Sequence, residues 1–526
     1  MKAFRIGLFY TSDTHSHIYP YRYADRESAP SGLGRVSTCI RINRSEFDEV
    51  IVIDNGDVIQ GAANSYYDAK VAEQSVHPSI LALNQMGCQA AVLGNHEFNY
   101  GRDYLHAAIQ KSQFPWLSAN IIDKSSGQPY FGQPYIIREC SPRLRVAVLG
   151  LTTKYVPNWE NPRHLEGMDF IDPVEAACHW IPYLRSEEQA NIVIVAYHGG
   201  VERDLSSGEP LEPLTGENQG YELLQKVPHI EALLTGHQHR ELAERFGDTV
   251  LLQPGHEGRH VGHVAFRCVN TDGTWQVDEV RGELISTANY DADPSVLDIP
   301  LLASSERETQ RWLDQDIGVV EGDLRIHDAA LARQTEHPFI EFVNRVQMWA
   351  SGAKISAAAL FDEDAQGFSE HITMREVISN YKYPNTLRVL RVSGRAIREA
   401  LEQSARYFAL DRHGEIVVSS EFLYPKPQHY NYDMWEGIEY TVNVAKPIGN
   451  RVGEVMIDGV TLDDAMMYDV VLNNYRAAGG GNYDMFKSCP TVKEIQIDVS
   501  ELIANYIRET GTIAATCNHN WCVTRD

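Results

Sequence analysis

The chain has 526 residues, of which 43% are hydrophobic and 22% are charged. These fractions are typical of globular proteins, and a chain of this length exceeds one ordinary core, so we expect two domains. The net charge of −26 argues against binding to polymeric nucleic acid, because phosphate backbones are bound by clusters of Lys and Arg. No apolar run reaches the length of a membrane span, so we also expect no membrane association.

In the first half of the chain, apolar runs alternate with polar loops and helical segments. This strand–loop–helix rhythm is typical of a largely parallel α/β sheet. We predict strands at residues 6–10, 49–53, 90–93, 145–150, 191–196, 232–234, 249–253 and 261–268. We predict helices at residues 34–47 and 78–85.

Five of these strands end in a histidine, a carboxylate or an asparagine. The side chains in question are Asp13, His15, Asp57, Asn95, His198, His237 and His239. Ligands bind at the carboxyl ends of strands in open α/β sheets, so we interpret the five ends as one site. Imidazole, carboxylate and amide ligands without a thiolate suit Zn, Mn or Fe. Two such divalent ions, about 3.5–4 Å apart, activate water and clamp a phosphate, and Asp57 is the natural bridge between them.

The second half of the chain shows no strand ends of this kind. Residues 300–317 are helical and charge-rich, which favours a stiff connector over a flexible linker. Strands are predicted at residues 387–392 and 468–472, and a helix at residues 394–408. Aromatic residues cluster between Tyr424 and Tyr440.

The eight cysteines form no CxxC pair and do not suggest a disulfide framework. Cys517 and Cys522 flank His519 and could hold a metal, but the expected structure here is a frayed tail. The N-terminus enters a strand without a secretory signal. We therefore expect a cytoplasmic protein, or an extracytoplasmic one if a leader has been removed.

The motifs DxH, GD, GNH, H and GHxH, in this order, resemble those of the calcineurin-like metallophosphoesterases over about residues 1–298. Together with residues 473–483 (NNYRAAGGGNY), they make nearly the whole chain similar to the 5'-nucleotidase superfamily. Within it, residues 94–101, 383–387 and 473–477 look most like the bifunctional 2',3'-cyclic-nucleotide 2'-phosphodiesterase/3'-nucleotidases.

The resemblance implies an α/β fold with two domains. Residues 1–298 would form a four-layer α/β/β/α metallophosphoesterase sandwich that carries the dinuclear site. Residues 299–316 would form the helical linker, and residues 317–526 a C-terminal α/β domain of the 5'-nucleotidase type that binds the nucleotide.

The resemblance also assigns the ligands to two ions and a histidine to catalysis. One ion would be held by Asp13, His15, Asp57 and His239. The other would be held by Asp57, Asn95, His198 and His237. His96 matches the catalytic histidine of the family, which stabilises charge on the phosphoryl oxygens or protonates the leaving group.

Asn99 departs from the pattern of many 5'-nucleotidases, which carry Asp at this position. An asparagine can orient His96 but supplies no charge. Because the cyclic-phosphodiesterase branch is similar to this chain in having Asn there, we interpret Asn99 as a marker of that branch.

Metal ions bind the phosphate but do not recognise the nucleoside base, so we expect aromatic side chains to stack on the base. By resemblance, Tyr430 and Tyr483 match the pair of aromatics that enclose the base. Tyr432 and Trp435 are alternatives to Tyr430, and any of these rings can instead be packing residues. Arg476 either contacts substrate or braces the loop.

The sequence thus predicts a monomeric hydrolase of small nucleotides with two divalent ions, most similar to 2',3'-cyclic-nucleotide 2'-phosphodiesterases with 3'-nucleotidase activity. A 5'-nucleotidase or UDP-sugar hydrolase is the alternative within the class. A nucleotide-binding protein that has lost catalysis is the alternative from another class.

Overall fold

A computed structural model of the chain describes residues 3–212, 214–381, 383, 385–424 and 426–525. The chain divides into two compact units, Met1–Thr309 and Gln310–Asp526. The dividing point lies inside the helix Pro300–Leu313. The bounds predicted from the sequence, 1–298, 299–316 and 317–526, stay a prediction. Among the described residues, no helix combines the length and apolar character needed to cross a membrane.

The first unit contains two six-stranded sheets, in each of which the central strands are parallel. In spatial order, one sheet consists of Thr274–Ser286, His260–Thr271, Phe4–Thr11, Glu49–Asp54, Ala90–Val92 and Trp116–Leu117. The other consists of Glu241–Phe246, Thr249–Pro254, Ala232–Leu234, Ile192–His198, Leu144–Thr152 and Tyr135–Ser141. Ile121–Asp123 and Met168–Phe170 form a separate two-stranded ribbon.

The two sheets pack face to face through alternate residues of their strands. Ile6, Leu8 and Tyr10 share one buried cluster with Val146 and Ile194 of the other sheet. Because successive side chains of a strand point to opposite faces, Phe9 lies instead in the outer cluster. The predicted parallel strands are therefore divided between two sheets.

Helices cover the outer faces of both sheets. Val36 and Ile40 of the helix Leu33–Asn43 pack beside Phe9, whereas Val174 and Ile181 of the helix Pro173–Ser186 pack on the second sheet. The α-helices of the first unit are Leu33–Asn43, Ala63–Lys70, Pro78–Met86, Arg102–Lys111, Pro173–Ser186, Gly220–Lys226 and Pro294–Leu297. Short 3₁₀ helices lie at Arg44–Glu46, His96–Phe98, Val156–Asn158 and Thr287–Asn289. The unit is the expected four-layer α/β/β/α sandwich.

The second unit is built on a mixed five-stranded sheet. In spatial order its strands are Asp433–Glu436, Ile355–Ala359, Met467–Asn473, Leu387–Ser393 and Thr491–Ile495. A three-stranded sheet consists of His371–Thr373, Asp316–Glu321 and Thr512–Ala514. Ribbons pair Leu324–Arg325 with Gly367–Phe368, Phe408–Leu410 with Ile416–Val418, and Met456–Ile457 with Val460–Thr461. The α-helices are Ala329–Ala332, Pro338–Ser351, Met374–Asn380, Gly394–Ala405, Asn474–Ala477 and Val499–Thr510. Its 3₁₀ helices are Ser420–Phe422, His429–Asn431 and Asp484–Phe486.

The C-terminal tail differs from its prediction. Trp521–Thr524 pairs in parallel with Tyr440–Asn443, and the rings of Tyr440 and Trp521 stack with their centroids 6.0 Å apart. Backbone hydrogen bonds and a buried tryptophan therefore hold the tail, and the prediction of a frayed end is wrong.

Candidate metal centre and active site

Parallel pairing brings the predicted ligands together at one edge of each sheet. Thr11 pairs with Asp54, and Asp54 pairs with Ala91, so three strands of the first sheet end side by side. In the second sheet, Ile192–His198 and Ala232–Leu234 run parallel and end in the same direction. His198 is the last residue of its strand, and the other six predicted ligands lie in the segments that follow the strand ends.

Asp13, His15 and His239 form the first group of potential ligands. One ligand atom of each lies within 4.8 Å of the others. Nε2 of His15 is 3.1 Å from Nε2 of His239, which in turn is 3.5 Å from Oδ1 of Asp13. Nδ1 of His15 lies 3.0 Å from the carbonyl oxygen of Gln60, to which it must donate. Nε2 of His15 therefore presents a lone pair toward the group, as metal ligation requires.

Asp57, His198 and His237 form the second group, again within 4.8 Å of one another. Nε2 of His198 lies 3.1 Å from Oδ2 of Asp57 and 4.0 Å from Oδ1 of Asp13, so the two groups adjoin. Oδ1 of Asn95 is 2.8 Å from Nδ1 of His237 and 3.3 Å from Nε2 of His198. All seven predicted ligands thus converge, and carboxylate, imidazole and amide donors fit a pair of divalent ions.

Hydrogen bonds on the far side of the imidazole rings fix their orientation. Nδ1 of His198 donates to the carbonyl oxygen of Asn55 at 2.7 Å. Nε2 of His237 lies 2.8 Å from Oε1 of Glu217. Such partners are typical of metal-binding histidines, because they fix which nitrogen keeps its lone pair.

Five of the seven ligand positions adopt a left-handed backbone conformation. Positive φ angles of 48° to 68° occur at Asp13, His15, Asp57, His237 and His239. Non-glycine residues adopt this conformation infrequently, and strain of this kind concentrates at functional sites. These five residues follow three of the strand ends, where the left-handed turns aim the side chains inward instead of along the strand.

Glycines in the GNH and GH motifs allow the strand ends to approach one another. A Cβ atom on Gly94 would lie 2.3 Å from Oδ1 of Asp57, and one on Gly236 would lie 2.6 Å from Oδ2 of Asp13. Real Cβ atoms do not approach oxygen so closely, so any side chain at these positions would displace a predicted ligand.

Glu97 is a structural residue of the site that the sequence analysis missed. Its fully buried carboxylate accepts hydrogen bonds from the backbone N–H groups of Asp57 at 2.8 Å, Val58 at 2.7 Å and Gly94 at 2.6 Å. It thereby joins the GD segment to the GNH segment. A carboxylate directly after the GNH motif was visible in the sequence, but nothing there indicated backbone acceptors.

His96 lies beside the predicted ligands and is held at two points. Its backbone N–H donates to Oδ1 of Asp57 at 2.8 Å, and its ring is 5.2 Å from that of His15 between centroids. Its Nδ1 lies 2.6 Å from Oδ1 of Asn99, an atom that can only accept. Nδ1 therefore carries a proton, and Nε2 is the nitrogen that can exchange one with a substrate.

Asn99 in turn contacts a carboxylate. Its Nδ2 donates to Oε2 of Glu160 at 2.7 Å, and Oε1 of Glu160 lies 2.8 Å from Nδ1 of His164. Glu160 is 61 residues from Asn99 in sequence, so no local motif could have revealed it.

The electrostatics of the ligand groups favour bound cations. Burial opposes ionisation of Asp57, but the imidazoles of His198 and His96 hold its pKa well below the usual range. Burial and the neighbouring His239 lower the pKa of His15 to about 3, which keeps that ring neutral. Burial disfavours a charged His198, yet the carboxylates of Asp57 and Asp13 raise its pKa to about 10. The buried carboxylates thus attract positive charge to this point.

In the second unit, the structure contradicts the stacking role predicted for Tyr483, and of the two roles considered for Arg476 it supports bracing of the loop over contact with substrate. Tyr483 has no exposed surface, and its hydroxyl lies 2.7 Å from Oγ of Ser404. The Arg476 guanidinium lies 3.8 Å from the centroid of the Tyr483 ring. Arg476 is itself only 1% exposed and forms a two-point ion pair with Asp433, with Nε 2.6 Å from Oδ2. Tyr483 therefore offers no free face to a base, and Arg476 braces the loop.

Tyr430 stays the candidate for base stacking. It is half-buried, and its ring lies 6.3 Å from that of the half-buried Tyr475. The two alternatives, Tyr432 and Trp435, are 1% and 0% exposed and are packing residues. In the segment at residues 383–387, Pro384 lies outside the described residues.

Comparisons with known proteins agree with this architecture. The calcineurin-like phosphoesterase family model matches residues 8–241, and the 5'-nucleotidase C-terminal domain model matches residues 316–488. A Staphylococcus aureus protein, provisionally assigned as a 5'-nucleotidase and solved with alpha-ketoglutarate, is 36% identical with a TM-score of 0.91. The match covers 99% of this chain and 100% of that one.

The chain belongs to the 5'-nucleotidase family.

Two curated relatives are similar over 98% of this chain. The 2',3'-cyclic-nucleotide 2'-phosphodiesterase/3'-nucleotidase of Salmonella typhimurium is 28% identical, and the match covers 88% of its length. The trifunctional nucleotide phosphoesterase protein YfkN of Bacillus subtilis is 26% identical, and this chain spans only 39% of its length. As a member of the 5'-nucleotidase family, the protein is a metal-dependent phosphoesterase that hydrolyses nucleotides.

Proposed function

We propose that the protein hydrolyses 2',3'-cyclic nucleotides at the 2' ester and then removes the 3'-phosphate. The observation that carries this choice within the family is Asn99, which holds His96 at 2.6 Å where many 5'-nucleotidases have Asp. The similarity to the Salmonella enzyme over 98% of this chain supports it. We also propose that the protein acts as a monomer and that its site takes two ions of Mn, Zn or Fe.

The proposed reaction needs three roles from the protein: metal ligation, orientation of His96 and protonation of the leaving group. Asp13, His15, Asp57 and His239 would hold one ion, and Asp57, Asn95, His198 and His237 the other. When bound, the two ions would polarise the phosphoryl oxygens and activate the attacking water. Asn99 accepts from Nδ1 of His96 and so fixes the imidazole, whose Nε2 protonates the departing ribose oxygen. In the cyclic substrate the P–O2' bond breaks first and yields a 3'-nucleotide. Cleavage of its P–O3' bond then yields nucleoside and phosphate.

The test measures hydrolysis of 2',3'-cyclic AMP, 3'-AMP, 5'-AMP and a UDP-sugar in the presence of Mn²⁺, with product separation for the cyclic substrate. We expect turnover of the first two, with 5'-AMP slower by about tenfold or more, a difference of about 1.4 kcal/mol in transition-state binding. The Asp57→Asn variant serves as the control and should lose activity with all four.

Two outcomes would replace the proposal. Faster hydrolysis of 5'-AMP or of the UDP-sugar would establish the 5'-nucleotidase or UDP-sugar hydrolase alternative, with the same metal site. Tight nucleotide binding without turnover at full metal loading would establish a catalytically silent binding protein.

A further inference from the structure

Three carboxylates and a thiol meet in the second unit, and none of them belongs to the predicted catalytic or substrate-binding set. Glu336 precedes the helix Pro338–Ser351, and Glu341 lies in its first turn. Cys517 lies in the C-terminal segment, and one ligand atom from each of these three residues is within 4.8 Å of the others. Glu436, at the end of the strand Asp433–Glu436, adds a third carboxylate whose charge acts on Glu336. We call these four residues the Glu336 cluster.

The charges of the Glu336 cluster are poorly compensated. Glu336, Glu341 and Glu436 are 8%, 8% and 5% exposed. Within the described residues, an ion pair is recorded for Glu341 alone, with Arg345. The donors to Glu436 in the part of the chain that the structure describes are all neutral: Nδ2 of Asn518 at 2.6 Å, Nδ2 of Asn520 at 2.9 Å and the backbone N–H of Gly437 at 3.2 Å. Buried carboxylates normally have cationic partners or coordinate metal ions. Arg345 alone does not balance three buried carboxylates, so we expect a further cation to bind beside them.

One oxygen of the cluster lacks a hydrogen-bond partner. Oε2 of Glu336 accepts from the backbone N–H of Asn520 at 3.1 Å, but the fully buried Oε1 has no partner among the described residues. The same holds for Oδ1 of the neighbouring Asn520. A buried oxygen without a hydrogen-bond partner is energetically costly, so two such oxygens beside a thiol indicate atoms that lack a ligand.

The acid–base properties of the cluster agree with its geometry. Burial, together with the charge of Glu436, raises the pKa of Glu336 to about 7. Burial also raises the pKa of the Cys517 thiol, assisted by the charges of Glu336 and Glu341. A divalent cation reverses such shifts, because it stabilises thiolate and carboxylate together.

We propose that Glu336, Glu341 and Cys517 form a site for a divalent cation, separate from the dinuclear centre. The thiolate favours a soft ion of the Zn²⁺ or Cd²⁺ class over Ca²⁺ or Mg²⁺. The ion binds the sulfur and carboxylate oxygens, and the thiol proton is released to solvent. The bound ion links the C-terminal segment to the start of the helix Pro338–Ser351, which is a structural role.

The competing explanation is a proton shared between the carboxyl groups of Glu336 and Glu341, which lie within hydrogen-bond reach. A shared proton would also satisfy Oε1 of Glu336. It would leave Cys517 as an ordinary thiol, and this difference is measurable.

Titration of the full-length protein with Cd²⁺ separates the two explanations, because Cd²⁺ bound to thiolate absorbs in the ultraviolet. The predicted ligands of the dinuclear centre include no thiolate, so Cd²⁺ bound there gives no such absorption band. We expect a band that saturates at one equivalent above any dinuclear-site binding and disappears in Cys517→Ser. Glu336→Gln should weaken the binding by about tenfold or more. Cys489→Ser, which removes a half-buried cysteine of the same unit, should leave the band unchanged.

A missing band at saturating Cd²⁺, or a band that survives Cys517→Ser, would overturn the proposal. The shared-proton explanation predicts that Glu336→Gln, which retains a hydrogen-bond donor, is as stable as the parent or more so with no Cd²⁺ signal. Circular dichroism verifies that each variant is folded. Phosphoesterase activity with Mn²⁺ is measured in parallel and should persist in Cys517→Ser, so failure of this proposal is distinguishable from failure of the proposed function.

Discussion

The side chain of Asn99 donates from Nδ2 to Oε2 of Glu160 across 2.7 Å. The same side chain accepts from His96, so the neutral amide of Asn99 connects a carboxylate to the histidine that we propose as catalytic. Only 7% of the Glu160 side chain is exposed, and this low exposure strengthens its hydrogen bond with the amide. Many 5'-nucleotidases place a negatively charged Asp directly beside this histidine. Here the neutral Asn99 lies between His96 and the negative charge of Glu160.

We predict that Glu160→Ala lowers kcat by about tenfold and leaves KM within about twofold, because Glu160 positions a group that acts in the transition state. Glu160→Gln keeps an acceptor for Asn99 and should lose less. Kinetics with a nucleotide and with 4-nitrophenyl phosphate measure both effects. The control is Glu166→Gln, since Glu166 is 79% exposed nearby. An increase in KM without a change in kcat would show that Glu160 serves only the binding surface.

Glu97→Gln should destabilise the first unit. The amide can accept on one oxygen only and directs N–H groups at backbone donors, so at least one N–H of Asp57, Val58 or Gly94 loses its acceptor. We expect a loss of about 1–3 kcal/mol in the free energy of unfolding, together with weaker retention of metal. Urea unfolding and elemental analysis measure the two effects. Glu46→Gln is the control, because that side chain is 63% exposed. Equal stability of both variants would contradict the bracing role.

Asp54 predicts a pH dependence of stability. Burial, with a further contribution from the charge of Glu97, raises its pKa to about 8 in the folded protein, against about 3.9 in an unfolded chain. Between these values the folded state holds one more proton than the unfolded state. The free energy of unfolding should therefore fall as pH rises from about 4 to about 8, by up to about 1.4 kcal/mol per pH unit. In Asp54→Asn this component should vanish, as urea unfolding across the pH range will show. An unchanged slope would mean that Asp54 is ionised in the folded protein.

The buried pair of Arg476 and Asp433 predicts a stability effect in the second unit. Arg476→Ala leaves Asp433 without its cation and should cost about 3–5 kcal/mol. Arg391→Ala is the matched control, because Arg391 and Asp469 form an exposed ion pair, which is worth at most about 1 kcal/mol. Denaturant unfolding of both variants gives the comparison. Similar losses in the two would indicate that the Arg476 pair is not effectively buried.

Tyr430→Ala should raise KM for nucleotides by about tenfold, since one base stack is worth about 1–3 kcal/mol. Hydrolysis of 4-nitrophenyl phosphate, which carries no base, should be unaffected. Tyr424→Ala removes a tyrosine that is 71% exposed in the same aromatic segment and serves as control. A loss common to both substrates would assign Tyr430 to folding.

The strand ends could be predicted from the sequence because apolar runs and the polar residues that follow them are local signals. Ala232–Leu234 has the predicted bounds, and parallel pairing then brings the strand ends together. The partition into two sheets was not available from periodicity, since Phe9 and Leu8 are both apolar but face different layers.

The contacts that the sequence did not reveal are long-range or depend on burial. Glu160 meets Asn99 across 61 residues, and no pattern links them. Tyr483 follows a glycine-rich segment that suggested an open approach, but Arg476 and Ser404 enclose it. The sequence places this tyrosine in a loop but does not indicate which side chains cover the faces of its ring.

The left-handed conformations of Asp13, His15, Asp57, His237 and His239 also bear on how this protein can evolve. Glycine adopts such angles without steric penalty, so each of these positions is one where a glycine would relieve strain and a ligand maintains it. A lineage that lost catalysis would therefore gain thermal stability by replacing ligands with glycine.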